Sequence, residues 1–131
     1  MGTNAELVLT TWNAFLKGDV KAAFANLHDD ATWTIPGLNP DLSGVKRGKN
    51  EIIGFLRGVV KLFPGGLRSE IKKVHEAGNT VIVELTNRST TAAGKPYENE
   101  YCFVWELEGG KVRAVREYVD TEKAVAIFNA G

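Results

Sequence analysis

Four strand-like segments in a row, in the second half of the chain, constrain the fold more than any other sequence feature. They cover residues 67–77, 80–91, 96–108 and 111–119. The breaks between them are short and contain glycine, as β-hairpin turns do: Gly78-Asn79, Ala93-Gly94-Lys95 and Gly109-Gly110. Consecutive strands joined by hairpins pair in an antiparallel meander, so this half of the chain is predicted to form one sheet.

The first half of the chain has helical periodicity. A first helix is predicted to open with a capping box at Thr3 and Glu6. A second helix is predicted to begin at Asp19 and to continue to Leu27. Apolar residues at helical spacing predict a third helix over residues 49–62.

Short strands are predicted over residues 31–35 and near Val45, and a short last helix over residues 121–128. Helices followed by an antiparallel meander define the α+β class, and the length suits a single domain over residues 1–131. We predict a curved antiparallel sheet that forms a half-open cone packed against three N-terminal helices. The apolar interior of such a cone suits a small molecule.

The composition excludes several classes of function. The 131 residues include 16 basic and 16 acidic side chains, so the chain lacks the basic excess of nucleic-acid and membrane-surface binders. Cys102 is the single cysteine, which excludes an internal disulfide and a cysteine-based zinc site. The first residues lack the apolar core of a signal peptide. We expect a soluble, cytoplasmic protein with no metal and no nucleic-acid or membrane partner.

Alternation within residues 96–108 indicates which side chains face the interior. The odd positions are aromatic or amide side chains: Tyr97, Asn99, Tyr101, Phe103 and Trp105. The even positions include glutamates, whose burial without partners is unfavourable, so the odd face is predicted to point inward. The same parity in residues 80–91 places Asn87 inside. In residues 111–119, periodicity alone does not decide which face is inside.

Four segments together resemble a known family. They are HDDATWTIPG, GVKRGKNEIIGFL, EAGNTVIVEL and GKPYENEYCFVWELEGGKVRAVREYVDT. Following two helices, they resemble the SnoaL-like and ketosteroid-isomerase-like proteins of the nuclear-transport-factor-like α+β cone superfamily. The resemblance covers nearly the whole chain. It implies that the even face of the last strand, with Arg116, Tyr118 and Asp120, looks into the cone.

The resemblance also implies an acid/base aspartate at Asp120, which closes the R-E-Y-x-D run as in SnoaL-like cyclases. A carboxylate in an aromatic cavity is desolvated and exchanges protons near neutral pH. The competing interpretation is that Asp120 caps the helix that starts near Thr121. Tyr101 and Tyr118 complete the predicted catalytic set as hydrogen-bond donors to a developing oxyanion.

Five residues are predicted to bind the substrate: Trp33, Asn87, Asn99, Phe103 and Arg116. Trp33 offers an aromatic face with a polar end, and the two asparagines orient a carbonyl group or a water. Plain core packing is the competing interpretation for Phe103. For Arg116 the competing interpretation is pairing across strands with Asn99 or a glutamate.

Two patterns of related enzymes have no counterpart in the chain. The base aspartate of ketosteroid isomerases is missing from residues 31–35, which contain no carboxylate. The Arg-x-Asp pair of epoxide hydrolases with this fold is replaced by Leu85-Thr86-Asn87. An isomerase mechanism of the ketosteroid type and a two-carboxylate relay around a water are therefore disfavoured.

The sequence predicts a protein that binds a small hydrophobic molecule and, as an enzyme, uses an aspartate for isomerisation, cyclisation or elimination without a cofactor. One alternative is a non-catalytic module that binds a ligand or a protein, and a further alternative is an epoxide hydrolase. The resemblance also implies a homodimer formed through the outer face of the sheet. The side chains expected on that face include Cys102, Val104, Val115 and Val119.

Overall fold

The structure is a computed structural model that describes residues 2–129, with the side chains of residues 2–127. This range contains four helices: α1 (Thr3–Leu16), α2 (Val20–Ala23), α3 (Lys49–Leu62) and α4 (Thr121–Asn129). It contains six strands: β1 (Leu27–Ile35), β2 (Gly44–Arg47), β3 (Arg68–Ala77), β4 (Thr80–Thr90), β5 (Pro96–Glu108) and β6 (Lys111–Val119). None of the helices in this range is long and apolar enough to cross a membrane.

The six strands form one sheet in the order β2-β1-β6-β5-β4-β3. Strands β1 and β6 are parallel, and all other neighbouring pairs are antiparallel. The predicted meander is therefore confirmed, as is the helix over residues 49–62. Helices packed on one face of this curved, mostly antiparallel sheet give the α+β half-open cone that the sequence predicts.

Aromatic side chains dominate the core between the helices and the sheet. Phe24 stacks on Trp105 with ring centroids 6.2 Å apart. Trp33 meets three rings edge-on, at 5.7, 6.1 and 6.0 Å respectively: Phe24, Phe103 and Trp105. Each such pair adds about 0.5–1.5 kcal/mol to the burial of apolar area. The odd face of β5 thus points inward, as predicted.

The second helix is shorter than predicted. It covers only Val20–Ala23, and Leu27 begins β1 instead of ending a helix. Leu27 pairs with Val112 of β6, and the Val112 N–H donates to the Asn26 carbonyl at 2.8 Å. Pairing with a strand far away in the sequence thus overrides the helical periodicity of this segment.

The predicted capping box at Thr3 and Glu6 is wrong. Gly2 is the residue that precedes α1, and no side-chain hydrogen bond caps the helix there. Instead, Glu76 of β3 reaches across, and its Oε1 accepts a hydrogen bond from the Ala5 N–H at 2.7 Å. A tertiary contact satisfies an N–H group that the sequence assigns to a local cap.

A β-bulge in β6 decides which face of this strand is buried. Glu106 of β5 lies opposite Ala114, but Leu107 lies opposite Val112, so β6 has one residue more than β5 at this point. The extra residue reverses the alternation of side chains along the strand. Val112 and Val115 are consequently both buried although they lie an odd number of residues apart.

The expectation that the even face of β6 looks into the cone is therefore wrong. Beyond the bulge, Glu117 points inward and is buried, whereas Tyr118 lies on the outer face and is 45% exposed. Arg116 also lies on the outer face, where it pairs with a glutamate of β5. Val115 and Val119, expected on the outer face, pack against the core.

Candidate functional site

Helices α1, α3 and α4 and the inner face of the sheet enclose a cavity, the inner cavity, of about 40 Å³. This volume holds a small number of water molecules. Aromatic and aliphatic side chains form most of its wall, and Asn87, Tyr101 and Glu117 add polar groups. A mostly apolar cavity with a few convergent polar groups is the usual form of a small-molecule site.

Glu117 is the buried carboxylic acid of this wall. Its Oε1 accepts a hydrogen bond from the Trp33 indole Nε1–H at 2.9 Å. Burial raises the pKa of Glu117 to about 7, against the opposing effects of the Trp33 hydrogen bond and the positive charge of Lys46. Near neutral pH the carboxyl group is therefore present both with and without its proton, which suits it to act as an acid and as a base.

The position of Glu117 follows from the strand order. Strand β6 lies between β1 and β5 at the centre of the sheet, and Glu117 lies directly opposite Phe103 of β5. The bulge turns the side chain of Glu117 toward the helices, where Trp33 of β1 is the hydrogen-bond donor that reaches it. A central strand is rigid, so the carboxyl group is held in one place.

Tyr101 lies one inward-facing position from Phe103, on which its ring stacks at 5.4 Å. Its hydroxyl shares a hydrogen bond of 2.6 Å with the hydroxyl of Tyr97, which also accepts one from Asn99 Nδ2 at 3.0 Å. Burial raises the pKa of Tyr101 further above its ordinary value. Tyr101 therefore stays protonated and acts as a hydrogen-bond donor, not as a base.

Asn87 is held in the wall by a chain of hydrogen bonds. Trp12 Nε1 donates to Ser69 Oγ at 2.9 Å, and Ser69 Oγ donates to Asn87 Oδ1. The Asn87 side chain also acts on the Tyr101 hydroxyl, where it opposes the rise in the pKa of Tyr101. The two inward-facing residues of β4 and β5 thus form one polar unit on the cavity wall.

The three predicted catalytic residues, Tyr101, Tyr118 and Asp120, all line an open surface depression of about 370 Å³ beside β5 and β6, and of the three only Tyr101 also lines the inner cavity. Asp120 is exposed, and its Oδ1 accepts a hydrogen bond from the Lys123 N–H at 3.1 Å, so it caps α4. Arg116 Nη2 pairs with Glu106 Oε2 at 3.1 Å on the outer face, as the structural interpretation of Arg116 predicts. Tyr118 and Asp120 therefore do not join Tyr101 at the inner cavity, and their catalytic roles stay predictions.

Three of the five predicted binding residues lie at the inner cavity, as predicted. Trp33, Asn87 and Phe103 line the inner cavity. Asn99 is buried, and its Nδ2 donates to the Asp120 carbonyl oxygen at 3.1 Å. Asn99 thus ties the end of β6 to β5.

Glu117 is the residue that the sequence reasoning missed. The signal is the odd face of residues 111–119, on which Glu117 stands between Val115 and Val119. A single carboxyl group between two apolar side chains indicates burial when that face is inside. The bulge that turns this face inward has no local signature, so the pattern was not decisive.

An aromatic core between helices and one face of a curved, mostly antiparallel sheet defines the class of α+β cone proteins. Residues 8–115 match the family of the SnoaL-like domain, which is more than half of the chain. The chain therefore belongs to the SnoaL-like family, and the resemblance found in the sequence is confirmed.

Solved structures share this fold. An NTF2-like protein of unknown function from Burkholderia pseudomallei is 29% identical, with a TM-score of 0.84 over 97% of this chain and 98% of that one. TerC, co-crystallised with polyporic acid, is 25% identical, with a TM-score of 0.84 over 98% and 99% of the two chains. An LEH-like epoxide hydrolase from M. tuberculosis is 22% identical, with a TM-score of 0.76 over 98% and 92%. Comparison with curated protein sequences gave no match.

Proposed function

We propose that the chain binds a small hydrophobic organic molecule at the inner cavity and moves a proton on it, with Glu117 as acid and base. The observation that carries this proposal is a buried carboxyl group with a pKa of about 7 in an aromatic wall. Isomerisation, cyclisation and elimination all need a group that takes a proton and returns it elsewhere. In this proposal Glu117 takes the role that the sequence assigns to Asp120.

The proton transfer is simplest for a substrate with an acidic C–H bond beside a carbonyl group. The ionised Glu117 carboxylate removes the proton, and the electron pair of the C–H bond moves to the carbonyl oxygen to form an enolate. In this step Tyr97 donates to the Tyr101 oxygen, so the Tyr101 O–H is left to donate a hydrogen bond to the enolate oxygen, and Tyr101 keeps its own proton. Where the substrate has a β,γ double bond, the enolate is conjugated with it, and the protonated Glu117 returns the proton to the γ-carbon. The carbonyl group re-forms and the carbon–carbon double bond moves to the α,β position, which completes an isomerisation.

A second cavity provides the room that the inner cavity lacks. This outer cavity, of about 280 Å³, lies between the C-terminal ends of α1 and α3. Four side chains line both cavities: Phe15, Val59, Phe63 and Leu67. A shift of these side chains joins the two spaces, so a ligand with one or two rings enters from the outer cavity and places its reacting end near Glu117.

Deuterium exchange tests the proposal without knowledge of the natural substrate. The probe is 2-acetylnaphthalene in D2O, and proton NMR follows the exchange of its methyl protons. We expect the wild type to accelerate exchange and Glu117→Gln to lose the acceleration by roughly 100-fold or more, the usual contribution of a general base. Glu100→Gln, which neutralises an exposed glutamate of β5, serves as the control and is expected to match the wild type. Equal exchange in Glu117→Gln and wild type contradicts the role of Glu117.

A non-catalytic ligand-binding or protein-interaction module is the second candidate. Two observations favour it: Asp120 caps α4, and the aromatic side chains leave only about 40 Å³ empty in the inner cavity. This candidate predicts that the wild type binds 2-acetylnaphthalene without accelerating exchange. Polyporic acid, with which TerC was co-crystallised, is a second ligand for the binding measurement. Epoxide hydrolysis has less support, because Leu85-Thr86-Asn87 brings no second carboxylate to the cavity wall.

We propose a homodimer formed through the outer face of the sheet. Tyr118 is 45% exposed there and lies opposite Cys102. Next to this pair, Val104 lies opposite Ile82 of β4, and both are half-buried. Ion pairs such as Arg116–Glu106 and Arg88–Glu98 surround this small apolar centre. A second copy of the chain covers such a face with like residues on a two-fold axis.

A further inference from the structure

Lys46 places a positive charge beside the inner cavity. It lies on β2 directly opposite Trp33 of β1, and side chains opposite each other in an antiparallel pair share one face of the sheet. The Lys46 side chain is therefore directed to the inner face, where it is half-buried. Its Nζ lies 5.2 Å from the centroid of the Phe55 ring, and Phe55 lines the cavity.

The charge of Lys46 has no carboxylate partner among the described residues. Arg88, Arg113 and Arg116 all form ion pairs with glutamates or aspartates at the protein surface, whereas Lys46 forms none within residues 2–127. Its counterparts are the Phe55 ring and, at longer range, Glu117, whose pKa it lowers. A half-buried ammonium group held over a ring retains capacity for an anionic partner.

We propose that Lys46 binds an anionic oxygen of the ligand and so selects flat aromatic acids, or compounds with a similarly acidic oxygen, over neutral ones. This inference rests on the proposed function, because it assumes that the ligand lies at the inner cavity. The aromatic body of the ligand packs against the neighbouring rings of Trp33 and Phe55, whose centroids lie 6.4 Å apart, and the anionic group faces β2. Glu117 in its protonated form admits such an anion without repulsion between like charges.

The test compares two probes of nearly equal shape, 2-naphthoate and 2-naphthamide, which differ in charge. Quenching of tryptophan fluorescence reports binding, since Trp12 and Trp33 line the cavity. We expect the wild type at pH 7 to bind naphthoate roughly tenfold more tightly than naphthamide, as a single charge-assisted contact allows. Lys46→Gln is expected to bind both probes equally, and Lys46→Arg to keep most of the preference.

The control is Arg47→Gln, which removes the same charge one residue along β2, on its exposed face. We expect this variant to keep the wild-type preference for naphthoate. An unchanged preference in Lys46→Gln, or an equal loss in Arg47→Gln, overturns the role of Lys46 while the proposed function stands. If neither probe quenches the wild type, ligand binding at the inner cavity is itself contradicted, and the inference falls with it.

Discussion

Replacing Glu117 by glutamine is expected to remove a pH-dependent cost of folding. Burial raises the pKa of Glu117 from 4.5 to about 7 in the folded chain, whereas the unfolded chain keeps the ordinary value. Between these two values the folded protein holds a proton that the unfolded protein has released. The contribution of Glu117 to stability is therefore lost as the pH rises through this window, and it levels off above about pH 7.

The size of the effect follows from the two pKa values. Proton linkage with values of about 7 and 4.5 gives a loss of about 2.5 kcal/mol in the free energy of unfolding between pH 5 and pH 8. Glu117→Gln keeps the shape and a carbonyl oxygen that accepts from Trp33 Nε1, but it does not titrate. The stability of this variant relative to the wild type is therefore expected to increase by about 2.5 kcal/mol from pH 5 to pH 8.

Urea denaturation at pH 5, 6, 7 and 8, followed by circular dichroism, measures this difference. The comparison with the variant cancels the titration of every other group. Glu100→Gln, an exposed glutamate of the same sheet, serves as the control and is expected to follow the wild type at each pH. If the difference in free energy of unfolding between Glu117→Gln and the wild type is the same at pH 5 and at pH 8, Glu117 is not buried with a raised pKa.

Substitutions at three further positions test other contacts. Trp33→Phe removes the hydrogen-bond donor to Glu117, so the free energy of unfolding should fall by about 1–3 kcal/mol at pH 8 and by less at pH 5, where the carboxyl is protonated; the urea titration shows whether the two values differ. Asp120→Ala removes the cap of α4 and should cost about 1 kcal/mol, whereas Asp120→Asn should be nearly neutral because asparagine caps equally well. Lost turnover in Asp120→Asn at an unchanged melting temperature would instead restore the catalytic role predicted for Asp120. Tyr118→Glu places a charge at the centre of the outer sheet face and should convert the dimer to a monomer in light scattering; a wild type that is already monomeric at micromolar concentration removes the dimer proposal.

Much of the wall of the inner cavity was predictable from local patterns. The alternation in β5 and β4 identified Tyr101, Phe103 and Asn87 as inward-facing, and all three line the cavity. These predictions succeeded because a strand with glutamates on one face and aromatic residues on the other has only one favourable orientation. The patterns did not show how the polar groups connect, because the bonds from Trp12 to Ser69 and onward join α1, β3 and β4.

Glu117, and not the predicted Asp120, lines the inner cavity because of a feature that local sequence patterns do not encode. At the bulge, β6 has one residue more than β5 between consecutive paired positions. The position of this extra residue is set by how the two strands pair, not by the residues of either strand alone. The same holds for Leu27, which joins β1 through its partner in β6.

By itself, the sequence determined the fold class, the meander with its turns, the third helix and the membership of the SnoaL-like family. These features depend on glycine turns and hydrophobic periodicity, which act within a few residues of one another. Only the tertiary structure decided which face of β6 is buried, and with it that Glu117 and not Asp120 reaches the inner cavity. The physical reason is that strand register and bulges depend on the free energy of contacts between segments far apart in the sequence. The alternation of side chains in one strand carries no information about how its partner will pair with it.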